Sequence, residues 1–244
     1  MSEGLAEVGL VRRSRLGPFA PHIETPRRAR TPPALLQGVE RSYGAGGTIY
    51  AQGEPADFIY QVVAGVVRTI TLRSDGRRTV HSFLLSGEIF GLEREKLHHC
   101  AAEAVGASRL MQWPQRRLEA LAGSNSDAAR ELWTSLLTSR DRTAERFMHV
   151  MHGTAFEKLA YFLIDLAWRT RSDGPIQLPM SRYDIADYLG LSSETVSRTF
   201  TAFRARGLIS TKGRQVRLLS DQILRVAEAD NIAPEAADWP RPQA

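Results

Sequence analysis

The stretch MSRYDIADYLGLSSETVSRTFTAFRARGLISTKGRQVRLL, residues 180–219, has the order of parts that a winged helix-turn-helix requires. Ser181 is placed to cap a short helix that carries Asp184 in its first turn and turns Ile185, Ala186 and Leu189 inward. Gly190 permits the sharp turn that follows. Ser192 caps a second helix with Val196, Phe200 and Phe203 on one face, leaving Ser193, Glu194, Ser197 and Arg198 near its N-terminal end on the other. A recognition helix needs its readers there, because its N-terminal residues meet base edges in the major groove. Leu208-Ile209-Ser210 and Val216-Arg217-Leu218 flank Lys212-Gly213 and read as a β-hairpin wing.

The residue types fit a duplex. Over residues 176–220 seven basic side chains (Arg182, Arg198, Arg204, Arg206, Lys212, Arg214, Arg217) face three acids (Asp184, Asp187, Glu194), so most of the chain's formal charge of +5 lies in this segment. A carboxylate such as Glu194 only accepts hydrogen bonds, and its natural base partner is the exocyclic amine of cytosine; Arg198 offers a donor fork to guanine. Glu194, Ser197 and Arg198 are therefore the candidate base readers, with Ser181, Arg182, Ser193, Thr195, Lys212 and Arg214 as supporting or phosphate contacts. Two alternatives stay open on pattern alone. Glu194 can serve only to orient Arg198 four residues on, and the helix pair can be the solvated basic face of an enzyme.

Upstream, a helix is expected from Phe156 to about Trp168, burying Leu159, Phe162, Leu163 and Leu166 and ended by Asp173-Gly174-Pro175. Before it a long helix runs from about Ser126 to Gly153, with Leu132, Leu136, Phe147 and Met151 at near-heptad spacing. Spacing allows this stripe to pair with a second copy or to cover the neighbouring domain. From Tyr43 to about Trp113 short β-branched and aromatic segments at 58–63, 66–72 and 79–85 alternate with glycines, the grammar of a small antiparallel β domain. Asp75-Gly76 is its hairpin signal. The chain thus divides into a basic Pro/Arg-rich tail at 1–36, a β domain at 37–125, a long helix at 126–153, a DNA-binding domain at 154–229 and a second tail at 230–244.

Composition excludes several classes. The 244 residues, 43% of them hydrophobic, suffice for two small cores. One cysteine, Cys100, rules out an intramolecular disulfide, a CxxC zinc site and a four-cysteine iron–sulfur cluster, and a reducing cytoplasm is the expected location. No apolar run approaches the roughly 20 residues of a spanning helix, so no membrane partner is expected. No HExxH, GxSxG or GxxxxGK[ST] motif is present, and binding rather than catalysis is expected.

Three blocks, GGTIYAQGEPADFIYQVVAGVVR (46–68), GEIFGLE (87–93) and ETVSR (194–198), resemble the CRP/FNR family of bacterial regulators, and the likeness runs from about Tyr43 to Glu228. It implies an α+β fold: an N-terminal cyclic-nucleotide-binding-like β-roll, a long dimerisation helix and a C-terminal winged helix-turn-helix. It further implies that Glu194, Ser197 and Arg198 read a TTGA-type half-site, that Leu132, Leu136, Phe147 and Met151 form a homodimer seam, and that the target is a palindrome similar to TTGAT-N-ATCAA. RNA polymerase is an implied partner, with activation as the implied outcome.

Departures from the family concern the sensor. Cyclic-AMP-responsive members grip the cyclic phosphate with an Arg-Ser pair and the ribose with a Gly-Glu pair, and these positions hold His99-Cys100 and Gly91-Leu92 here. A neutral imidazole replaces neither an arginine's charge nor its fork, so no useful cyclic-nucleotide affinity is expected. GLE and HHCAAEAV look instead like the FixK branch, whose members lack a recognised cofactor; no cofactor is therefore expected. The alternative is a regulator switched by a cyclic nucleotide or haem in the β-roll. His98 and His99, read as strand neighbours, point to opposite faces and do not readily share one ion. Cys100 is read as a buried inert thiol, with a redox role as the alternative.

Overall fold

The computed structural model describes residues 38–93, 95–122, 130, 133, 134, 137, 153–170 and 174–228. Both tails, Ser126 and the four residues read as a seam, Leu132, Leu136, Phe147 and Met151, lie outside the described residues.

Alternation between inward and outward side chains builds the N-terminal half. Strands β1 (Val39–Tyr43), β8 (Ser108–Pro114), β3 (Phe58–Ala64) and β6 (Ile89–Phe90) form one antiparallel sheet in that order. The other is β2 (Thr48–Tyr50), β7 (Ala101–Ala104), β4 (Val67–Leu72) and β5 (Arg78–Leu84). The inner faces share one core, with Tyr60, Val62, Phe90 and Leu110 from the first sheet against Tyr50, Val67, Leu84 and Ala102 from the second. The β4–β5 turn carries Gly76 at φ +80°, as the Asp-Gly pair predicts. Gly65 between β3 and β4 is required twice over: its φ is +91°, and a Cβ there would stand 2.3 Å from Ser108 Oγ and 2.7 Å from the Ala107 carbonyl oxygen.

Helix α1 (Gln115–Ala122) follows β8, and residues 130, 133, 134 and 137 are helical. Helix α2 (Ala155–Thr170) starts at a reciprocal cap, in which Glu157 N–H donates to Thr154 Oγ1 (3.3 Å) and Thr154 N–H donates to Glu157 Oε2 (2.6 Å). It buries Leu159, Phe162, Leu163 and Leu166 as the periodicity predicts.

The C-terminal unit has α3 (Arg182–Leu189), α4 (Ser193–Ala205), and a hairpin of β10 (Ile209–Lys212) and β11 (Gln215–Leu218), closed by α5 (Gln222–Glu228) against α2. Sequence reading missed α5 and a third wing strand, β9 (Ile176–Gln177), which pairs with β11. Val196, Phe200 and Phe203 of α4 join Ile185, Leu189 and the α2 residues in one core, and that core continues into Ile70, Val80, Phe83 and Leu85 of the β-roll. Among the described residues no helix is long and apolar enough to cross a membrane.

Candidate nucleic-acid interface

Local chemistry positions α4. Ser181 Oγ accepts from Asp184 N–H (3.1 Å) while Asp184 Oδ2 accepts from Ser181 N–H (3.0 Å), a complete capping box at the start of α3. Gly190 ends α3 in the left-handed region at φ +65°, and Ser192 Oγ accepts from Thr195 N–H (3.0 Å) at the start of α4. One helix thus ends and the next begins within three residues, Gly190, Leu191 and Ser192.

The three predicted base readers come together on the exposed face of α4's first two turns. Arg198 Nη2 donates to Glu194 Oε1 at 2.6 Å, with both side chains more than half exposed. Ser197 Oγ donates back to the Ser193 carbonyl (2.8 Å), which commits its proton and leaves the oxygen able to accept. The pair brings an acceptor and a donor fork together on one exposed face of α4.

The supporting residues divide. Lys212 lies exposed at the end of β10, and Ser193 and Thr195 sit at the N-terminal end of α4. Arg214 is exposed, but its Nη1 donates to the Pro179 carbonyl (3.1 Å), tying the wing back to the approach to α3. Arg182 does not project freely. Its guanidinium lies 3.2 Å from the centre of the Phe200 ring, and burial, helped by the nearby Arg204 charge, lowers its pKa to about 10. Tyr183, 70% exposed beside it, was not singled out from sequence, where an aromatic in an amphipathic helix reads as core.

The β-roll interior around His98 is aromatic. The His98 ring is stacked on Tyr50 with centroids 3.6 Å apart and is 2% exposed, and Tyr60 and Phe90 continue the aromatic layer. His98 Nδ1 lies 3.5 Å from Glu93 Oε1, with no closer partner among the described residues, and Glu93 Oε2 lies 3.9 Å from His99 Nε2. A carboxylate thus stands beside His99, one of the two positions at which the sequence resemblance implies a phosphate-gripping Arg-Ser pair in cyclic-AMP-responsive members, and a carboxylate and an imidazole there offer no guanidinium fork. His98 and His99 occupy the irregular stretch before β7, so the strand alternation expected of them does not apply; His98 is buried, His99 is exposed, and both face Glu93. Among the described residues no group of three or more His, Cys, Asp or Glu is placed to hold a metal ion. Cys100 is half-buried, and burial first, then the Glu93 charge, push its thiol up to about 11 against a weaker opposing hydrogen bond from Thr69.

Comparison with known proteins bears on both halves. A model of the Crp-like helix-turn-helix domain matches residues 157–226, and one of the cyclic nucleotide-binding domain matches residues 40–125. The nitrogen fixation regulation protein FixK of Rhizobium meliloti is 39% identical over 196 residues, spanning 79% of this chain and 90% of that protein. The chain belongs to the CRP/FNR family of transcription regulators. Within the family it is of the FixK/FNR type. The solved structure of FixK2 from Bradyrhizobium japonicum superposes with a TM-score of 0.73 at 38% identity, covering 81% of this chain and 99% of that one. The transcriptional activator Anr of Pseudomonas aeruginosa is 32% identical over 71% of this chain and 74% of that protein. The α+β fold and the DNA-binding regulator role implied by the sequence resemblance hold, and the relatives are regulators rather than enzymes.

Proposed function

We propose that this CRP/FNR regulator binds, as a homodimer in the cytoplasm, an inverted repeat similar to TTGAT-N-ATCAA, and that it does so with no small molecule in its β-roll. The carrying observation is the exposed Glu194–Arg198 pair at 2.6 Å, with Ser197 between them, at the N-terminal end of α4. A helix entering the major groove there presents an acceptor for a cytosine amine and a fork for guanine O6 and N7. Ser181, Ser193 and Thr195 lie at the two helix N-termini, where backbone N–H groups and the helix dipole favour phosphate. Lys212 and Arg214 reach the flanking backbone from the wing, and Arg182 lends its charge from its seat on Phe200.

Pairing of two copies is supported by Trp133 and Leu137, four residues apart in a helical stretch and both exposed in the single chain. They stand one position on from Leu132 and Leu136, which with Phe147 and Met151 make up the proposed seam. A two-fold axis then sets half-sites roughly one helical turn apart. Relatives such as FnrA of Stutzerimonas stutzeri are named transcriptional activators, which supports recruitment of RNA polymerase. Independence from cyclic nucleotides is supported by the Tyr50–His98 stack and by Glu93. The boundaries proposed for the working parts remain 37–125 for the sensor-like β-roll, 126–153 for the dimerisation helix and 154–229 for the reader, with tails at 1–36 and 230–244. Purified protein without added ligand should retard a TTGAT/ATCAA duplex and leave a scrambled duplex free. Equal retardation of both, or retardation only after cyclic nucleotide is added, would overturn this reading.

A further inference from the structure

Charge as well as packing joins the β4–β5 hairpin to the first helix of the DNA-reading unit. Arg68 on β4 donates through Nη1 to Asp184 Oδ1 (2.8 Å) and through Nη2 and Nε to Glu103 Oε2 (2.7 and 3.0 Å). Arg78, at the start of β5, donates to the same Asp184 Oδ1 (2.8 Å) and twice to Asp187 Oδ2 (2.7 and 2.9 Å). Asp184 is almost fully buried, and its second oxygen is already engaged by the backbone and hydroxyl of Ser181. One carboxylate thus caps α3 and anchors it to the sheet.

Beside this polar contact Phe83 packs against Tyr188 of α3 (centroids 5.1 Å) and Phe162 of α2 (6.2 Å). Arg169 of α2 donates to the Phe83 carbonyl, to Glu88 Oε2 (2.7 Å) and to Asp165 Oδ2 (2.9 Å). Apolar contact holds the two units together without fixing their angle. Charge-assisted guanidinium–carboxylate bonds are directional: Arg78 grips Asp187 through Nε and Nη2 and Asp184 through Nη2, and Arg68, held by its own fork on Glu103, adds one bond to Asp184, so the two arginines on adjacent strands resist rotation of α3 over the sheet.

We infer that Arg68 and Arg78 are positioning residues for DNA binding: by clamping α3 to the β4–β5 hairpin they set the half-site spacing that the regulator accepts. Neither side chain is among the proposed base readers. In the proposed dimer the distance between the two α4 helices depends on how each reader docks on its own β-roll. This inference rests on the dimeric reading proposed above. A reader hinged loosely to the β-roll would accept half-sites moved apart or together; a clamped one would not.

The test compares Arg78→Asp, Asp187→Arg and the double exchange, all in the full chain. Each is titrated against duplexes whose half-sites are held constant while their separation is changed base pair by base pair. Arg78→Asp sets a third acid against Asp184 and Asp187, and the preference for the best spacing over its neighbours should fall about tenfold. Base preference within each half-site should persist, which a collapsed fold would not allow. The double exchange should restore the spacing preference to within about twofold of the original, because opposite charges face each other again. A second arm needs no DNA: amide hydrogen exchange in β5 and α3 should quicken in Arg78→Asp and slow again in the double exchange. An unchanged spacing profile in Arg78→Asp, no restoration in the double exchange, or unchanged hydrogen exchange overturns the clamp. Should the unaltered protein show no preference among duplexes, the proposed function fails, and the exchange arm still decides whether the clamp exists.

Discussion

Replacing Arg198 by alanine separates reading from folding. Its side chain is 58% exposed and its ion-pair partner, Glu194, 71% exposed, so solvent already screens the pair. Its loss should change folding stability by no more than about 0.5 kcal/mol. On DNA the same guanidinium, facing guanine O6 and N7, contributes roughly 1–3 kcal/mol per half-site. A dimer loses it twice, about 2–6 kcal/mol, a fall in affinity from roughly thirtyfold to more than ten-thousandfold. Fluorescence anisotropy with a labelled TTGAT/ATCAA duplex, and with duplexes in which the guanine is replaced, measures both the loss and its base dependence. The original protein should discriminate and Arg198→Ala should not. Adding Glu194→Ala completes a double-mutant cycle: if Glu194 accepts from a cytosine amine its cost persists without Arg198, and if it only orients Arg198 the cost disappears. Retained guanine preference in Arg198→Ala, or a loss of folding stability above about 1 kcal/mol, would refute the assignment.

Phe203 is fully buried where α4 meets Phe156, and Phe203→Ala should cost about 3–5 kcal/mol of stability, read by urea unfolding; a change below about 1 kcal/mol would contradict the packing. Burial raises the Asp184 pKa, but the Ser181 backbone and hydroxyl bonds and the Arg68 and Arg78 charges outweigh it, leaving the folded value below the ordinary 3.8. Its stabilisation is therefore complete above that ordinary value and fades as pH falls through the lower folded one. Asp184→Asn should flatten the acid limb of a stability profile, and an unaltered limb would count against the network. With its thiol pushed up to about 11, Cys100 should react with iodoacetamide near neutral pH about a hundredfold more slowly than an unperturbed thiol; equal rates would favour the redox role.

What was legible in the sequence was local chemistry. Ser181, Gly190 and Ser192 each announce a helix end through a bond they make within four residues, and Glu194 and Arg198 lie one helical turn apart, so their meeting follows from pitch alone. Asp75-Gly76 marks its hairpin for the same reason. The clamp was not legible: Arg68 and Asp184 are 116 residues apart, and a charged residue on a half-buried strand looks the same whether it faces water or a carboxylate. Strand β9 is two residues long and has no period to detect. His98 reads as polar, and its burial against the Tyr50 ring, 48 positions away in the chain, leaves no local signal. Arg182 was expected to reach a phosphate because its charge is visible in sequence, whereas its seat on Phe200 depends on the angle between α3 and α4.

The most direct test of the account is selection of bound sequences from a random duplex library by the purified full chain. Enrichment of a symmetric repeat with TTGA-type halves at one separation is the predicted result. Enrichment of a single unpaired half-site, of an unrelated sequence, or of nothing above background would contradict it.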